Sequence, residues 1–327
     1  MLLFSSLLGG LAGDVLQPSD DAVAAESAAI TTVPTVALSN GVALPMLGFG
    51  TWTLPDDQAE TLVTRTLSMA NPPSIDTSPD YKNQRAVKRG LAGRPRDTFL
   101  VTSKINGDQR WTPDVVYTKS TEQLELNLKE LGVSSVDLML IHYPVDSFYG
   151  PEAACAVHRE MWRAMEDFYF QKKARSIGVS NFCPSTFACL ASNTSVYPQV
   201  NQVNFHVGLG PDPGGISSSC KGKGVQLQAY SVLGAASHVR EILTSPVLQR
   251  IGQAHQVSAA TVAERWAVQH GVAIVTTTTN ADHMAQALAS FSFTLSDAEM
   301  AELDALTLGG GHGQGPGGAD YSFVCKQ

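Results

Sequence analysis

Apolar and polar positions along the chain fall into short segments of two alternating kinds. Runs that are apolar throughout predict buried strands, and segments with apolar residues three or four apart predict helices. We predict strands over 48–50, 74–76, 99–104, 136–141, 174–179, 199–205, 225–230 and 271–276. We predict helices over 56–69, 113–131, 158–172 and 257–270.

Apolar strands that alternate with helices are typical of a parallel sheet covered by helices. Eight strand–helix steps favour a closed (β/α)8 barrel, the TIM barrel fold. A doubly wound sheet would usually carry a GxGxxG turn after its first strand, and that turn is missing here. Asn40-Gly41 between two short apolar runs predicts a β-hairpin over 36–46, ahead of the barrel.

The length of 327 residues suits one α/β barrel of roughly 250 residues with extensions at both ends. We predict a flexible or signal-like extension over 1–34, the barrel domain over 35–308 and a Gly-rich tail over 309–327. The segment 208–224 is rich in Pro and Gly, which predicts a loop.

Composition and charge narrow the choice of partner and compartment. The net charge is −8 with no basic run, which argues against nucleic acid and anionic membranes as partners. The apolar N-terminal run is too short to span a membrane. We expect a cytoplasmic protein, with the secretory pathway or an organelle as the alternative if residues 1–25 are a cleaved signal. The sequon at Asn193 would matter only in a secreted chain.

The five cysteines show no zinc-binding spacing, so we expect buried or idle thiols. Their odd number argues against a disulfide framework.

Polar residues follow several predicted strands, where functional groups of a parallel barrel gather. Asp76 and Tyr81 follow the second strand, Lys104 the third and His142 the fourth. A phenol with a pKa of about 10 becomes a useful proton donor when a cation and hydrogen bonds stabilise its phenolate. Each residue alone would favour a structural role, but the four together indicate catalysis. Further polar residues at later strand ends are Ser180, Asn181, Gln202, Asn204, Tyr230, Ser231 and Thr276 to Thr279.

Seven blocks occur in an order that resembles the aldo-keto reductase family, over roughly residues 36–306. They are LSNGVALPMLGFGTW, IDTSPDYKNQ, VTSKI, LIHYP, GVSNF, PQVNQVNFHV and AYSVLG. The resemblance implies an oxidoreductase that reduces an aldehyde or ketone with NAD(P)H. One alternative is a cofactor-binding, non-catalytic regulatory subunit of the same superfamily. Another is an aldolase that uses Lys104 as a Schiff base, which would not explain Tyr81, Gln202 and Tyr230 together.

The resemblance also implies roles for single residues. Tyr81 would protonate the carbonyl oxygen, Lys104 would lower the pKa of Tyr81, and Asp76 would pair with Lys104. His142 would orient the carbonyl or assist the proton relay. The implied substrate-binding residues are Trp52, Tyr81, His142 and Tyr143. The implied cofactor-binding residues are Gly50, Thr51, Ser180, Asn181, Gln202, Tyr230, Ser231, Leu233, Thr277, Thr278 and His283. No metal is implied.

The block after the last strand departs from the family. Thr277 stands where a phosphate-binding Lys is expected, His283 where an Arg is, and Ala287 where an Asn is. We therefore expect NADP(H) as the cofactor, with NAD use possible. Gln84 replaces a usual Glu, and Tyr143 replaces a usual Trp beside the pocket. We expect a monomer that binds a small carbonyl compound, and the sequence leaves the choice of carbonyl open.

Overall fold

The structure, a computed structural model, describes residues 33–69, 72–108, 110–145, 150–191, 194–234 and 238–308. The extension up to residue 32, Asn193 of the sequon and the tail 309–327 lie outside the described residues, so the predictions on them stay predictions. In the described part of the chain, no helix is both long and apolar enough to cross a membrane.

Eight parallel strands close into a barrel in chain order, and the last strand pairs with the first. This confirms the predicted (β/α)8 fold. The strands are β1 Thr35–Ala37, β2 Ala43–Pro45, β3 Leu47–Gly50, β4 Ser74–Asp76, β5 Val101–Ile105, β6 Val136–Ile141, β7 Ala174–Ser180, β8 Val200–Asn204, β9 Gln226–Tyr230 and β10 Ala273–Thr276. The barrel consists of β3 to β10.

The helices follow the strands and cover the outside of the barrel. They are α1 Asp56–Thr66, α2 Gln84–Leu91, α3 Pro113–Leu131, α4 Pro151–Phe170, α5 Pro184–Phe187, α6 Ile216–Gly222, α7 Val239–Thr244, α8 Pro246–His255, α9 Ala259–Gln269, α10 Ala281–Ala289 and α11 Asp297–Asp304. Helix α3 has the predicted bounds. It begins with Pro at its first position and ends at Gly132, whose φ of 66° suits a residue without a Cβ.

The predicted hairpin is present as β1 and β2, which pair antiparallel. Leu38, Leu44 and Met46 pack on buried residues of the barrel strands, among them Leu138 and Val200. Asn40 donates a hydrogen bond to the Arg175 carbonyl near the start of β7. The hairpin therefore covers the N-terminal end of the barrel and leaves the opposite end for the polar residues.

Two local predictions were wrong. The segment 208–224 contains helix α6, because Ile216 and Cys220 bury one face and the Asp212 carboxylate accepts from the Ser217 backbone N–H. Helix α4 begins at Pro151 rather than at 158, with Pro at its first position and an acidic residue in its first turn.

The expectation of idle thiols was also wrong for Cys155 and Cys189. Cys155 of α4 and Cys189 after α5 form a disulfide, with their Cα atoms 5.0 Å apart. Pairing depends on spatial proximity rather than on the number of cysteines, and the early start of α4 places Cys155 within reach. Cys220 is free and buried.

Candidate active site

Three of the four predicted catalytic residues form a chain of contacts at the C-terminal end of the barrel. The Lys104 ammonium lies 2.6 Å from Asp76 Oδ1, 3.1 Å from the Tyr81 hydroxyl and 3.2 Å from the Thr77 carbonyl. Strands β4 and β5 pair directly, which places Asp76 beside Lys104. Lys104 is fully buried, so its charge depends on these partners.

Tyr81 is held by a short 3-10 helix over Pro79–Tyr81. Pro79 presets the backbone at its start, and the Ser78 hydroxyl accepts a hydrogen bond from the Asp80 N–H. Lys82 follows with a left-handed φ of 59° and turns the chain away. The local sequence thus aims the Tyr81 side chain at Lys104.

The Asp76 carboxylate is held from two sides. Its Oδ1 accepts from Lys104, and its Oδ2 accepts from the Gln202 amide at 2.8 Å. Gln202 lies on β8 and also donates to Gln228 on β9 at 2.9 Å. A buried ion pair with its remaining lone pairs satisfied keeps one geometry, and the loss of either partner leaves an uncompensated charge.

The pKa of Tyr81 is governed mainly by its burial. Burial raises the pKa of Tyr81 well above its ordinary value, and the negative charge of Asp76 adds to this effect. Burial also lowers the pKa of Lys104, against the opposite effect of Asp76. Tyr81 therefore keeps its proton at neutral pH and is suited to donate it only to an oxygen on which negative charge develops.

His142 directly follows β6 and is buried. Its Nδ1 lies 3.3 Å from the Ser78 hydroxyl and 3.4 Å from the Asp80 carboxylate. Its ring stacks on Tyr143 with a centroid distance of 4.2 Å and meets Tyr81 edge-on at 5.9 Å. Burial lowers the pKa of His142, and the hydrogen bond with Asp80 opposes that shift. Asp80 and Ser78 were not among the predicted site residues.

A second polar cluster lies at the ends of β7, β8 and β9. Asn181 donates to the His142 carbonyl at 2.9 Å and to the Ser180 hydroxyl at 3.1 Å, while Tyr230 donates to Asn181 Oδ1 at 2.8 Å. The Ser180 hydroxyl donates to the Gln202 carbonyl at 2.7 Å. Asn181 and Ser231 have positive φ values of 63° and 51°, a backbone conformation that non-Gly residues keep only when surrounding contacts hold it.

The atoms left over in this cluster suit a nicotinamide. Gln202 uses both of its N–H groups on Asp76 and Gln228, so its Oε1 is left to accept. Asn181 Oδ1 accepts once, from Tyr230, and an amide oxygen has two lone pairs. Two acceptors match the two N–H groups of a carboxamide. The residues present therefore fit this half of the cofactor.

The loop after β10 was expected to bind the phosphate of the cofactor, but its residues are uncharged or exposed to solvent. Thr277 and His283 are exposed. Thr278 accepts from the Asn280 N–H at 3.1 Å and lies 3.5 Å from His283 Nδ1. A Cβ at Gly50 would meet Thr277 Oγ1 at 3.2 Å, so the ends of β3 and β10 adjoin at the mouth.

Two charged or ionisable groups near this loop were missed. The Arg65 guanidinium of α1 donates to the Thr279 carbonyl. The Glu264 carboxyl of α9 lies behind the strand end, with a hydrogen bond to Thr276, and burial raises its pKa to about 8. Glu264 is thus mainly protonated at neutral pH and adds little negative charge. Neither residue lies in a motif, so no sequence signal marks them.

The remaining residues singled out in the sequence differ in burial and in their hydrogen-bond partners. Thr51 is buried and bonds to the Asp76 carbonyl through its N–H, while Trp52 is exposed at the rim. Leu233 packs partly buried against the core. Gln84 donates to Ser103 and Asn127, so it joins packed elements and has no hydrogen bond to the four predicted catalytic residues.

A cavity of about 550 Å³ opens beside His142 and its stacking partner. Its lining residues are Pro79, Asp80, Asn106, Gly107, Asp108, Trp111, Gln123, Leu126, Tyr143, Pro144 and Val145. Of the four predicted substrate-binding residues, Tyr143 lines this cavity, whereas Trp52, Tyr81 and His142 are not among its lining residues. In the part of the chain that the structure describes, no group of three or more His, Cys, Asp or Glu residues could hold a metal ion.

The profile of the Aldo/keto reductase family matches residues 46–307. The chain belongs to the aldo-keto reductase family. It is 33% identical over 274 residues to glyoxal reductase of Bacillus subtilis (strain 168), which covers 83% of this chain and 92% of that protein. It is 32% identical over 273 residues to 9,11-endoperoxide prostaglandin H2 reductase of Trypanosoma cruzi, with 83% and 90% covered.

Solved structures of aldo-keto reductases share this fold. MGS-M4, an aldo-keto reductase from a deep-sea metagenome library, superposes with a TM-score of 0.74 at 28% identity and covers 84% of this chain and 95% of that one. A Bombyx mori aldo-keto reductase in complex with NADP superposes with a TM-score of 0.70 at 24% identity, with 84% and 92% covered. Both structures share the fold of this aldo-keto reductase over 84% of its chain.

Proposed function

We propose that this aldo-keto reductase reduces an aldehyde or ketone to an alcohol, with Tyr81 as general acid. The observation that carries the proposal is the buried chain from Asp76 through Lys104 to the Tyr81 hydroxyl, at 2.6 Å and 3.1 Å. A phenol placed next to a buried ammonium at a barrel mouth can give up a proton and have the resulting phenolate stabilised.

The proposed mechanism assigns each residue one task. A bound reduced nicotinamide supplies the hydride that reduces the carbonyl carbon. Tyr81 gives its proton to the carbonyl oxygen as negative charge develops there, and Lys104 stabilises the phenolate that remains. Asp76 holds Lys104 in place and keeps it charged. Ser180, Asn181 and Gln202 bind the carboxamide of the cofactor, and Tyr230 packs beside its ring. Tyr81 then regains a proton from water.

We propose NADPH as a usable cofactor with relaxed preference over NADH. Thr277 and Thr278 offer hydroxyl groups to a 2′-phosphate but no charge, and His283 stands where the family has an Arg. Arg65, beside the Thr279 carbonyl, is the cation that we infer contributes the remaining attraction. Loss of one charged hydrogen bond, about 1.5–3 kcal/mol, corresponds to roughly 10- to 150-fold in affinity.

We propose neutral, small carbonyl compounds as the substrate class. The described lining of the cavity contains the carboxylates Asp80 and Asp108 but no Lys or Arg. Arg110 pairs with Asp108, whereas Asp80 faces His142, whose pKa is lowered by burial. A substrate carboxylate would therefore meet Asp80 without a compensating cation in the lining.

The test is a panel of carbonyl compounds assayed with NADPH and with NADH. Glyoxal and glyoxylate form a matched pair, since both present an aldehyde and only glyoxylate carries a carboxylate. We expect reduction of glyoxal with a kcat/KM well above that for glyoxylate. No turnover on any aldehyde or ketone with either cofactor would refute the reductase and favour the regulatory alternative, which no specific contact in the structure supports.

A further inference from the structure

Asp80 is a carboxylate next to the proposed acid Tyr81, and the reductase mechanism gives it no task. Its Oδ2 lies 3.4 Å from Nδ1 of His142. The Asp80 N–H donates to Ser78, and the pKa of Asp80 is held below its ordinary value by its hydrogen bond with His142, with Asn106 as a further partner. The Asp80 side chain is 54% exposed, so its contacts with His142 and Asn106, rather than burial, orient this carboxylate.

The two neighbours of His142 Nδ1, Ser78 and Asp80, differ in whether they require a proton on that nitrogen. The Ser78 hydroxyl, at 3.3 Å, can either donate or accept a hydrogen bond. The Asp80 carboxylate can only accept when it is ionised. An attractive contact with Asp80 therefore requires that Nδ1 carries a proton.

The other charges near His142 do not select one nitrogen. Lys104 and Asp76 act on the whole ring through space and oppose each other, since they form an ion pair. Tyr81 and Tyr143 contact the ring edge-on and by stacking. Among the described residues, Nε2 of His142 has no hydrogen-bond partner, so Nε2 is the nitrogen left for a ligand.

We propose that Asp80 is a positioning residue that holds a proton on Nδ1 of His142 and thereby decides what Nε2 presents to the substrate. This role rests on the proposed reduction and on the role at the carbonyl that the family resemblance implies for His142. With Nδ1 protonated, the neutral ring offers Nε2 only as an acceptor, and the cationic ring offers an Nε2–H donor. The cation can donate to a carbonyl oxygen, and the neutral ring can accept from an alcohol hydroxyl.

The proposal sets the sign of the pH dependence. Reduction uses the Nε2–H donor, so its rate falls as pH rises through the pKa of His142. Oxidation of the alcohol uses the bare Nε2, so its rate rises over the same range. Asp80 opposes the burial that lowers the pKa of His142, so Asp80→Asn moves both limbs to lower pH.

The direct test is the tautomer of His142 in the protein without cofactor, read from two-bond proton–nitrogen NMR correlations of 15N-histidine-labelled protein. We expect Nδ1–H with bare Nε2 at pH above the pKa of His142 in the unmodified protein. Asp80→Asn should lose this preference, because an amide can donate as well as accept, while Asp80→Glu should retain it. A neutral ring protonated on Nε2 in the unmodified protein would overturn the proposal.

Two control variants separate a specific effect of Asp80 on His142 from a general effect of removing a polar or charged group. Ser78→Ala removes the other partner of Nδ1 and should leave the proton on Nδ1. Asp108→Asn removes a second carboxylate of the same cavity, one that pairs with Arg110, and should leave the His142 signals unchanged. Equal changes in Asp108→Asn and Asp80→Asn would show a general charge effect and overturn the specific role. A loss of fold in Asp80→Asn is detected by circular dichroism, and the test then rests on Asp80→Glu and the unmodified protein.

The kinetic readout adds the link to catalysis. Asp80→Asn should lower kcat for reduction by about tenfold and leave the cofactor KM unchanged. A tenfold loss is at the low end of the effects seen when a residue that orients a histidine is replaced. An unchanged pH–rate profile in Asp80→Asn contradicts the role. Because the tautomer is measured without substrate, a protein that shows the expected tautomer yet reduces no carbonyl refutes the proposed function rather than the placement of the proton.

Discussion

Two regions of the barrel mouth differ in how firmly their residues are held: the four predicted catalytic residues, and the loop after β10. Lys104 and Asp76 are buried, and every charged atom of the pair has a partner from another strand. Thr277 and His283 are exposed, and Arg65 reaches their loop from the surface of α1. Several buried polar contacts fix the Lys104–Asp76 pair, whereas the loop after β10 is open to solvent.

This contrast teaches which part of the site can change at low cost. A substitution within the buried pair leaves a charge without water or counterion, which costs several kcal/mol. A substitution in the exposed loop changes interactions that water already screens. We therefore expect reaction chemistry to depend on the buried side and cofactor preference to depend on the open loop.

The largest effect should follow from Tyr81→Phe. Loss of the proton donor should lower kcat for reduction by about 10²–10⁴-fold and leave the Kd for NADPH nearly unchanged. Stopped-flow single-turnover rates and cofactor fluorescence titration measure the two quantities. Tyr143→Phe is the matched control, because it removes a hydroxyl from the ring stacked on His142, and its kcat should fall far less. Near-normal single-turnover rates in Tyr81→Phe would show that another group is the acid.

Lys104→Met should damage both stability and chemistry. Removal of one partner of a buried ion pair costs about 3–5 kcal/mol, which urea unfolding measures. In the unmodified protein the pKa of Tyr81 is raised, so the phenol that reduction needs persists as pH rises from 7 to 9. Oxidation needs the phenolate, so the rate of oxidation should increase with pH. Without Lys104 the phenolate is less stable, so kcat/KM should fall for both reduction and oxidation, because the two directions share one transition state. An unchanged rate together with an unchanged pH–rate profile would contradict this coupling.

Thr277→Lys should sharpen the difference between the cofactors. A new ammonium in the open loop should strengthen NADPH binding by roughly 10- to 150-fold and leave NADH affinity almost unchanged. Isothermal titration of both cofactors to both proteins gives the ratio. If the unmodified protein already prefers NADPH strongly and Thr277→Lys adds nothing, the loop does not control the preference.

Arg65→Ala should have the smallest effect. An exposed cation contributes about 0.2–1 kcal/mol to a charge pair, so NADPH affinity should fall by at most about fivefold and NADH affinity should not change. Arg94→Ala is the matched control, because Arg94 also donates to a backbone carbonyl, but to that of Leu67 rather than to one in the loop after β10. An equal loss in both variants would remove Arg65 from the cofactor site.

The sequence alone predicted the barrel and the grouping of its polar residues. Strand ends carry functional groups in any parallel barrel, so the order of Asp76, Lys104 and His142 along the chain was enough to predict their position. Helix α3 was predicted with correct bounds because its Pro start and Gly end are local signals. These features depend on periodicity and on short-range backbone preferences, which the sequence displays directly.

Other features depended on which segments meet in space. Arg65 and Thr279 lie 214 residues apart and meet only after the barrel closes. Cys155 reaches Cys189 because α4 begins earlier than its pattern indicated. The burial that raises the pKa of Tyr81 was not predicted, since charge pairing can be inferred from neighbouring motifs but the extent of burial cannot. Desolvation and long-range proximity are properties of packing, and only the tertiary structure decided them.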